Sequence, residues 1–244
     1  MKTLTNRIAL VTGANKGIGH EVARQLAASD CTVLLGARNK ELGQQAASRL
    51  AAEGHDVRYI EIDLDDSATI AAAANRIDSD FGRLDILINN AGMIADGDGP
   101  ASASSSMAIE RALHVNFIGS VTVTQAMLPL LRKASSARSV NVSSGLGSLT
   151  LNSDPAWPHA ASKYLGYAAS KAALNMFTVQ LAYELRGTRI KVNSAAPGYT
   201  ATDLNHHRGT QTLSEGAVEI IRLALLADDG PSGAFSDRHG IVPW

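Results

Sequence analysis

Short apolar runs rich in β-branched residues alternate with longer, alanine-rich amphipathic segments along the whole chain. Strands are predicted at Ile8–Val11, Thr32–Leu35, Val57–Ile62, Leu84–Ile88, Ser139–Val142, Ile190–Ser194 and Ala234–Ser236. Helices are predicted near residues 17–29, 40–53, 67–80, 103–132, 163–186 and 214–227. Buried strands separated by helices of this length indicate right-handed βαβ units. The pattern therefore predicts an α/β fold with helices on both faces of a parallel sheet of about seven strands.

No shift in composition and no linker divides the 244 residues, so one domain is predicted over 1–244. With 45% hydrophobic residues, the chain can bury one substantial core. The net charge of −1 and the dispersed basic residues argue against nucleic-acid binding. The longest charge-free run, residues 115–131, is too short and too polar to span a bilayer, and the first strand begins too early for a signal peptide to precede it. A cytoplasmic protein without nucleic-acid or membrane partners is expected.

Potential metal ligands occur in two places. The segment Asp96-Gly97-Asp98-Gly99 resembles part of a calcium loop but lacks the later ligands, so a solvated loop ending in a serine helix cap is favoured. His206 and His207 are adjacent in sequence, so their side chains point apart, and no third ligand is near. Cys31 is the single cysteine, which excludes an internal disulfide. No metal site is expected.

A glycine-rich loop lies between the first predicted strand and the first predicted helix. Its glycines have the spacing G-x-x-x-G-x-G, which lets the backbone turn tightly and approach a pyrophosphate at the helix N-terminus. A plain strand-to-helix turn would also use glycines, but the position favours dinucleotide binding by a doubly wound, Rossmann-type sheet. The expected contacts are Gly13, Asn15, Lys16, Gly17, Ile18 and Gly19.

The end of the second strand bears on the choice of coenzyme. An NAD site usually has a carboxylate there to bind the ribose 2′-hydroxyl, whereas this strand ends Gly36-Ala37-Arg38. Arg38 suits a 2′-phosphate, and Lys16 in the glycine loop is a second cation within reach of the same group. Both stand near helix N-termini, where positive charge is unfavourable unless an anion is bound. NADP(H) is favoured over the alternative of two solvated surface cations.

A tyrosine and a lysine lie one helical turn apart in Tyr167-Ala168-Ala169-Ser170-Lys171. To act as a base near pH 7, the phenol needs a pKa about 3 units below its usual value, or about 4 kcal/mol. An ammonium about 4 Å away at an effective dielectric of 20 supplies an interaction of that size. The pair is therefore a plausible proton donor and acceptor, although this spacing alone is common.

Several motifs occur together in one order: Thr12-Gly13 with Gly17-Ile18-Gly19, Asn89-Asn90-Ala91-Gly92, Ser143-Ser144, Tyr167 with Lys171, and Pro197-Gly198. With these motifs the chain resembles the short-chain dehydrogenase/reductase family from about Arg7 to Trp244. The glycine loop and the interval before the tyrosine look like the NADPH-dependent carbonyl reductase branch.

The resemblance implies roles for four catalytic residues. Tyr167 would be the general acid in carbonyl reduction, and Lys171 would lower its pKa and hold the nicotinamide ribose. Ser144 would hydrogen-bond the substrate oxygen, with Ser143 as the alternative hydroxyl. Asn116 would anchor a water-mediated proton relay to Lys171, although it could be an ordinary helix residue whose interior position needs a reason.

The resemblance also implies coenzyme contacts beyond the glycine loop and Arg38. Asp63 and Leu64 would hold the adenine, with capping of the next helix as the alternative role of Asp63, one that Asp65 or Asp66 could equally fill. Asn89 and Asn90 could chiefly hold the sheet together. The further expected contacts are Asp63, Leu64, Asn90, Ala91, Gly92, Tyr167, Lys171, Pro197, Gly198, Thr200 and Thr202.

Two departures from the family pattern stand out. Ala160-Ala161-Ser162-Lys163 nearly duplicates the segment that ends at Lys171, but His159 precedes it and its lysine has no tyrosine partner, so we interpret it as a decoy. The interval between Ser144 and Tyr167 is longer than is usual in the family. This insertion makes 145–163 a predicted wall of the substrate pocket, together with 199–213. A homo-oligomer is expected, with a monomer possible because of the insertion.

The expected function is NADP(H)-dependent interconversion of a neutral carbonyl compound (an aldehyde, ketone or quinone) and its alcohol. The two pocket segments offer an apolar, partly aromatic wall made by Leu146, Trp157, Tyr164, Tyr199 and Leu204. The alternatives are an NAD-dependent alcohol or steroid dehydrogenase of the same family and a non-catalytic NADP(H) sensor. The four catalytic residue types favour an enzyme over a sensor.

Overall fold

The computed structural model describes residues 7–244. The strands are β1 (Arg7–Val11), β2 (Cys31–Ala37), β3 (Val57–Glu61), β4 (Ile86–Asn89), β5 (Ala137–Val142), β6 (Ile190–Ala195), β7 (Phe235–Asp237) and β8 (Gly240–Ile241). The α-helices are α1 (Gly17–Ala27), α2 (Lys40–Ala52), α3 (Ser67–Phe81), α4 (Ser106–Leu113), α5 (Ser120–Lys133), α6 (Leu149–Ser153), α7 (Leu165–Glu184) and α8 (Leu213–Ala224). These elements alternate as the hydrophobic pattern predicts.

One sheet with the strand order β3-β2-β1-β4-β5-β6-β7-β8 forms the centre of the molecule. All neighbouring strands are parallel except β8, which pairs antiparallel with β7. The predicted doubly wound α/β fold is thereby confirmed, with eight strands in place of about seven. The strand order reverses between β1 and β4, and in such sheets the crevice outside the carboxyl ends at the reversal is the usual ligand site.

The two faces of the sheet are covered by different helices. Ala9 and Val11 of β1 belong to a buried apolar cluster with residues of α1, α2 and α8, whereas Ile8 and Leu10 belong to a second cluster with residues of α3, α5 and α7. Successive strand residues point to opposite faces, so burial on both sides makes the strands almost continuously apolar. This is why the short β-branched runs identify them in the sequence.

The segment predicted as one helix over 103–132 has a more detailed structure. It begins at Ser106, where the Ser105 hydroxyl accepts from the backbone of Ala108, and a π-helical turn over His114–Gly119 separates α4 from α5. A π-turn widens the helix locally and is frequent at functional sites. This π-helical turn contains Asn116, an asparagine that is unfavourable inside a helix unless its side chain is hydrogen-bonded elsewhere.

Two further observations concern membranes and metals. Within residues 7–244, no helix is both long enough and apolar enough to cross a bilayer. The same residues contain no group of three or more histidine, cysteine, aspartate or glutamate side chains that could hold a metal ion.

Candidate active site

A cavity of about 480 Å³ lies at the carboxyl ends of β1 and β4, in the crevice where the strand order reverses. We call it the crevice cavity. Of the residues expected at the site, it brings together Gly13, Asn15, Lys16, Gly17, Ile18, Gly19, Arg38, Asp63, Leu64, Asn90, Ala91, Gly92, Tyr167, Lys171, Pro197 and Thr202. Asn116, Ser144, Gly198 and Thr200 do not line it. The hydroxyl of Thr200 instead donates to the carbonyl of Pro197 at 2.9 Å.

The glycine loop is shaped by close backbone approaches. Gly13 has a φ of +63° and Gly17 a φ of +59°, the left-handed region that favours glycine. A Cβ on Gly13 would lie 2.8 Å from the Cα of Ala91, and one on Gly19 would overlap the side-chain nitrogen of Asn90. Asn90 donates from that nitrogen to the carbonyls of Thr12 and Gly13. Asn90, in the loop after β4, therefore holds the glycine loop in place.

The start of α1 has the features of a pyrophosphate site. Helices α2, α3, α4 and α8 each begin with a side chain that accepts from a first-turn backbone N–H. Helix α1 begins after Lys16 with no such side chain and no acidic residue in its first turn, and its first residues line the crevice cavity. Uncapped N–H groups at a helix N-terminus bind anions readily. A dinucleotide coenzyme fits this loop.

The cations expected at a 2′-phosphate are placed differently from one another. Arg38 is exposed on the cavity wall directly after β2, beside the buried Ala37. Lys16 pairs with Asp203 across the cavity mouth, with 2.6 Å between Nζ and Oδ2, and the same carboxylate lies 2.8 Å from His207. The pairing with Lys16 is the main cause of the lowered pKa of Asp203. Of these two cations, Arg38 is therefore the one without an ion-pair partner among residues 7–244.

The loop after β3 separates the roles of its aspartates. Asp66 is the N-cap of α3, since its Oδ1 accepts from the backbone of Ala68 at 2.9 Å. Asp65 forms a bidentate ion pair with Arg111 of α4, both distances being 2.6 Å. Asp63 does not cap the helix and lies on the wall of the crevice cavity beside Leu64.

Tyr167 and Lys171 are both buried on one face of α7. The Lys171 ammonium lies 5.6 Å from the centre of the Tyr167 ring and donates to the carbonyl of Val142, at the end of β5, at 2.8 Å. Burial raises the pKa of Tyr167 to about 12, with a smaller opposing effect from a hydrogen bond with Ser144. Burial also lowers the pKa of Lys171 to about 8. The ammonium of Lys171 is not among the causes of this shift, so the lowering of the phenol pKa by Lys171 stays a prediction.

The two serines after β5 have different surroundings. Ser144 hydrogen-bonds Tyr167, and its Oγ also accepts from the backbone of Leu146 at 3.2 Å. Ser143 lines the crevice cavity, but its Oγ is buried without a hydrogen-bond partner among residues 7–244. The contact with the phenol distinguishes Ser144 from its neighbour.

Asn116 is fully buried in the π-helical turn and has three hydrogen bonds. Its side chain accepts from the backbone N–H of Met93 at 2.8 Å and donates to the carbonyl of the same residue at 2.9 Å. It also donates to the hydroxyl of Ser170 at 2.9 Å. Asn116 thus joins the loop after β4 to the helix that carries the tyrosine, and this explains an asparagine inside a helix.

The segment before α7 places an aromatic cluster beside Ser144. The rings of Trp157 and His159 lie 5.3 Å apart, and those of His159 and Tyr199 lie 5.6 Å apart. A Cβ on Gly145, the residue after Ser144, would lie 3.0 Å from the Trp157 ring. The near-duplicate 160–163 lies in a turn before the helix begins. We call Trp157, His159 and Tyr199 the aromatic cluster.

Comparison with known proteins identifies the family. The family profile described as short chain dehydrogenase matches residues 7–213. The chain belongs to the short-chain dehydrogenase/reductase family. It is 33% identical to a (+)-neomenthol dehydrogenase of Capsicum annuum, over 99% of this chain and 98% of that protein, and 30% identical to carbonyl reductase (NADPH) 1 of Mus musculus, over 97% and 98%. The structure of salutaridine reductase from Papaver somniferum superposes with a TM-score of 0.82 at 31% identity, over 94% of this chain and 99% of that one.

Membership in the short-chain dehydrogenase/reductase family makes the chain an oxidoreductase that uses a nicotinamide coenzyme.

Several features of its site have no local signal in the sequence. Val142 offers a backbone carbonyl to Lys171, and Asp203 reaches Lys16 from 187 positions away. Asp98, interpreted above as part of a solvated loop, instead accepts from the backbone of Gly166 and Tyr167. Only the folded topology brings these groups to the site.

Proposed function

We propose that this protein is an NADP(H)-dependent reductase/dehydrogenase that interconverts neutral aldehydes, ketones or quinones and their alcohols. The observation that carries the proposal is the buried Tyr167, hydrogen-bonded to Ser144, in a cavity whose other end presents Arg38 and no carboxylate on β2. In this proposal, the proton donor and the cation that selects a phosphorylated coenzyme line the same crevice cavity.

The coenzyme would lie along the crevice cavity. The glycine loop would bind the pyrophosphate, Asp63 and Leu64 the adenine, and Asn90-Ala91-Gly92 the adenosine ribose. Gly92 fits a close approach, since a Cβ there would lie 3.3 Å from both the Asn116 Oδ1 and the Lys171 Nζ. Pro197 and Thr202 would contact the nicotinamide side, with Gly198 and Thr200 supporting that turn from behind the wall.

The bound nicotinamide supplies the hydride for the carbonyl carbon. Tyr167 donates its phenolic proton to the carbonyl oxygen, which Ser144 holds by a hydrogen bond as negative charge develops there. The phenol is protonated at neutral pH, and because burial raises its pKa to about 12, donation requires that the phenolate be stabilised. Lys171 holds the nicotinamide ribose and favours the phenolate that remains. Asn116 fixes the backbone around this group through Met93 and Ser170.

The substrate side favours an uncharged, ring-containing carbonyl compound. Segments 145–163 and 199–213 would form the pocket walls, with Leu146, Trp157, Tyr164, Tyr199 and Leu204 as the apolar and aromatic surface. Arg208 is the arginine of these two segments, and its guanidinium donates to the Asn205 carbonyl at 3.2 Å within its own turn. This favours an uncharged substrate over one that carries a carboxylate. Two of the relatives are named for terpenoid and alkaloid compounds, neomenthol and salutaridine, which suits an aromatic wall.

A panel of aldehydes, ketones and quinones assayed by coenzyme oxidation at 340 nm tests the proposal. Carbonyl-dependent oxidation of NADPH is expected with several ring-containing carbonyl compounds, with NADH slower by at least about tenfold because one charge-assisted contact is missing. NADH oxidised as fast as NADPH would favour an NAD-dependent dehydrogenase. Tight NADPH binding without any turnover would favour a coenzyme sensor.

We further propose that the protein forms a homo-oligomer through the outer face of α7. Met176, Val179 and Tyr183 follow one another at helical spacing there, and their exposed fractions are 58%, 38% and 65%. We take this exposed apolar stripe as the proposed association surface. Light scattering should give a multiple of the 25.6 kDa chain mass. The chain mass itself would identify a monomer.

A further inference from the structure

The first turn of α7 obtains its hydrogen-bond acceptors from a distant loop. The residue before the helix, Tyr164, offers no side-chain cap. The N–H of Leu165 donates to the carbonyl of Gly99 at 2.9 Å. The N–H groups of Gly166 and Tyr167 donate to Oδ1 and Oδ2 of Asp98 at 2.9 and 2.8 Å. Unpaired first-turn N–H groups are costly when buried, so the loop completes this helix.

Asp98 is itself held in one orientation. Its Oδ1 also accepts from the backbone of Gly99 and from the hydroxyl of Ser104, both at 2.9 Å. At Gly166 the helix approaches so closely that a Cβ would lie 2.9 Å from the Cα of Ile109 and 3.3 Å from the Asp98 Oδ2. The carboxylate therefore meets the helix in a fixed position, with its charge at the favourable end of the helix dipole.

The carbonyl of Tyr167 is anchored to the same loop by another route. The hydroxyl of Ser170 donates to it at 2.7 Å and accepts from the side chain of Asn116 at 2.9 Å. Asn116 in turn bonds both backbone groups of Met93. The N–H and the C=O of Tyr167 are thus both tied to the segment that follows β4, the strand at the centre of the coenzyme crevice.

We propose that Asp98 is a positioning residue for the reduction. By capping α7 at Tyr167 itself, it fixes the phenol relative to Ser144 and to the coenzyme-lining loop. This inference rests on the proposed function only in its effect on turnover, since the cap can be measured without a substrate. Catalysis is sensitive to such placement, because a displacement of about 1 Å can lower a rate by about a hundredfold.

The test compares Asp98→Ala with Asp66→Ala. Asp66 caps α3, which carries no proposed catalytic residue, and its Oδ1 accepts from Ala68 at 2.9 Å, so the control also loses a helix cap. In Asp98→Ala, kcat for carbonyl reduction should fall by about 10- to 100-fold, while KM for NADPH stays within about threefold. The solvent deuterium isotope effect on kcat should rise, because proton donation becomes slower. Asp66→Ala should keep the parent values of kcat, of KM for NADPH and of the isotope effect.

Asp98→Asn is the second variant, for the case that Asp98→Ala does not fold. Its amide oxygen can replace one of the two carboxylate acceptors, so its kcat should lie between those of Asp98→Ala and the parent. Hydrogen exchange followed by mass spectrometry supplies the readout that needs no activity. Exchange in peptides covering Gly166 and Tyr167 should accelerate at least about tenfold in Asp98→Ala and not in Asp66→Ala. If the parent reduces no carbonyl compound, the proposed function fails while this exchange result still tests the cap. Unchanged exchange, or a kcat that falls only with the folded fraction and leaves the isotope effect at the parent value, would overturn the proposal.

Discussion

The choice of coenzyme depends on charges whose positions the structure fixes. Ala37 is buried at the end of β2 and Arg38 is exposed directly after it, and both line the crevice cavity. The double variant Ala37→Asp, Arg38→Leu adds a carboxylate where an NAD site has one and removes the proposed partner of the 2′-phosphate. Neither change removes an ion pair among residues 7–244, but Ala37 belongs to a buried apolar cluster, so the new carboxylate should lower the free energy of unfolding. Urea unfolding of the double variant is therefore measured beside the kinetics.

The size of the effect follows from the contacts removed and added. Each charge-assisted hydrogen bond contributes about 1.5–3 kcal/mol, or about 10- to 100-fold in affinity. Losing Arg38 should lower kcat/KM for NADPH by that factor. The carboxylate introduced by Ala37→Asp should then repel the phosphate while accepting from the ribose hydroxyls of NADH. Lys16 already pairs with Asp203 at 2.6 Å, so Lys16→Ala should cost less, below about tenfold.

The assay is kcat/KM for NADPH and NADH with one carbonyl substrate, measured for the parent, the double variant and two single variants. The double variant should prefer NADH. Lys16→Ala should retain the parent preference for NADPH, and Asp203→Asn should strengthen it by releasing Lys16. A parent enzyme that prefers NADH, or a double variant that keeps its preference for NADPH, would refute the assignment of the 2′-phosphate to Arg38.

Three further predictions concern single residues. Because burial lowers the pKa of Lys171 from 10.5 to about 8, the unfolded chain binds a proton that the folded protein lacks between those pH values. The contribution of Lys171 to the free energy of unfolding should therefore rise by up to about 3 kcal/mol from pH 8 to 10.5, whereas the raised pKa values of Cys31 and Tyr167 act in the opposite direction above about pH 9. Urea unfolding should therefore show the difference between the parent and Lys171→Met growing over this range, and a constant difference would contradict the lowered pKa. His159→Ala should leave kcat for a small aldehyde near the parent value but raise KM for ring-containing substrates, as steady-state kinetics would reveal; a collapse of kcat with the fold intact would instead make His159 catalytic. Gly19→Ala should weaken NADPH binding in fluorescence titrations, since the added Cβ overlaps the Asn90 amide; unchanged affinity would contradict the tight packing of the glycine loop.

The features that the sequence predicts well have local causes. The strands are buried on both faces and so appear as apolar runs, and the glycine loop occurs at a fixed place after β1. Tyr167 and Lys171 share one helix, so their common face follows from helical spacing alone. The predicted sheet missed β8, because the two residues Gly240–Ile241 are too few to produce an alternating pattern.

The features that the sequence did not predict depend on contacts between distant segments. Asp98 meets Tyr167 across 69 positions, and a local pattern of aspartates and glycines indicates only a loop there. The ion pair of Lys16 with Asp203 likewise forms across the cavity mouth. The spacing of Tyr167 and Lys171 predicts a lowered phenol pKa from charge alone. Burial instead raises this pKa to about 12, and burial cannot be predicted from the spacing of two residues.

A comparison of Tyr167→Phe with the parent in the same preparation shows whether the Tyr167 phenol donates the proton during carbonyl reduction. NADPH affinity is measured by fluorescence titration and kcat with the best carbonyl substrate of the panel. We expect kcat to fall by about 10²- to 10⁴-fold, the usual contribution of a general acid, and NADPH affinity to stay nearly unchanged because the ring and Lys171 remain. A Tyr167→Phe enzyme that turns over within about tenfold of the parent would contradict this role of the phenol.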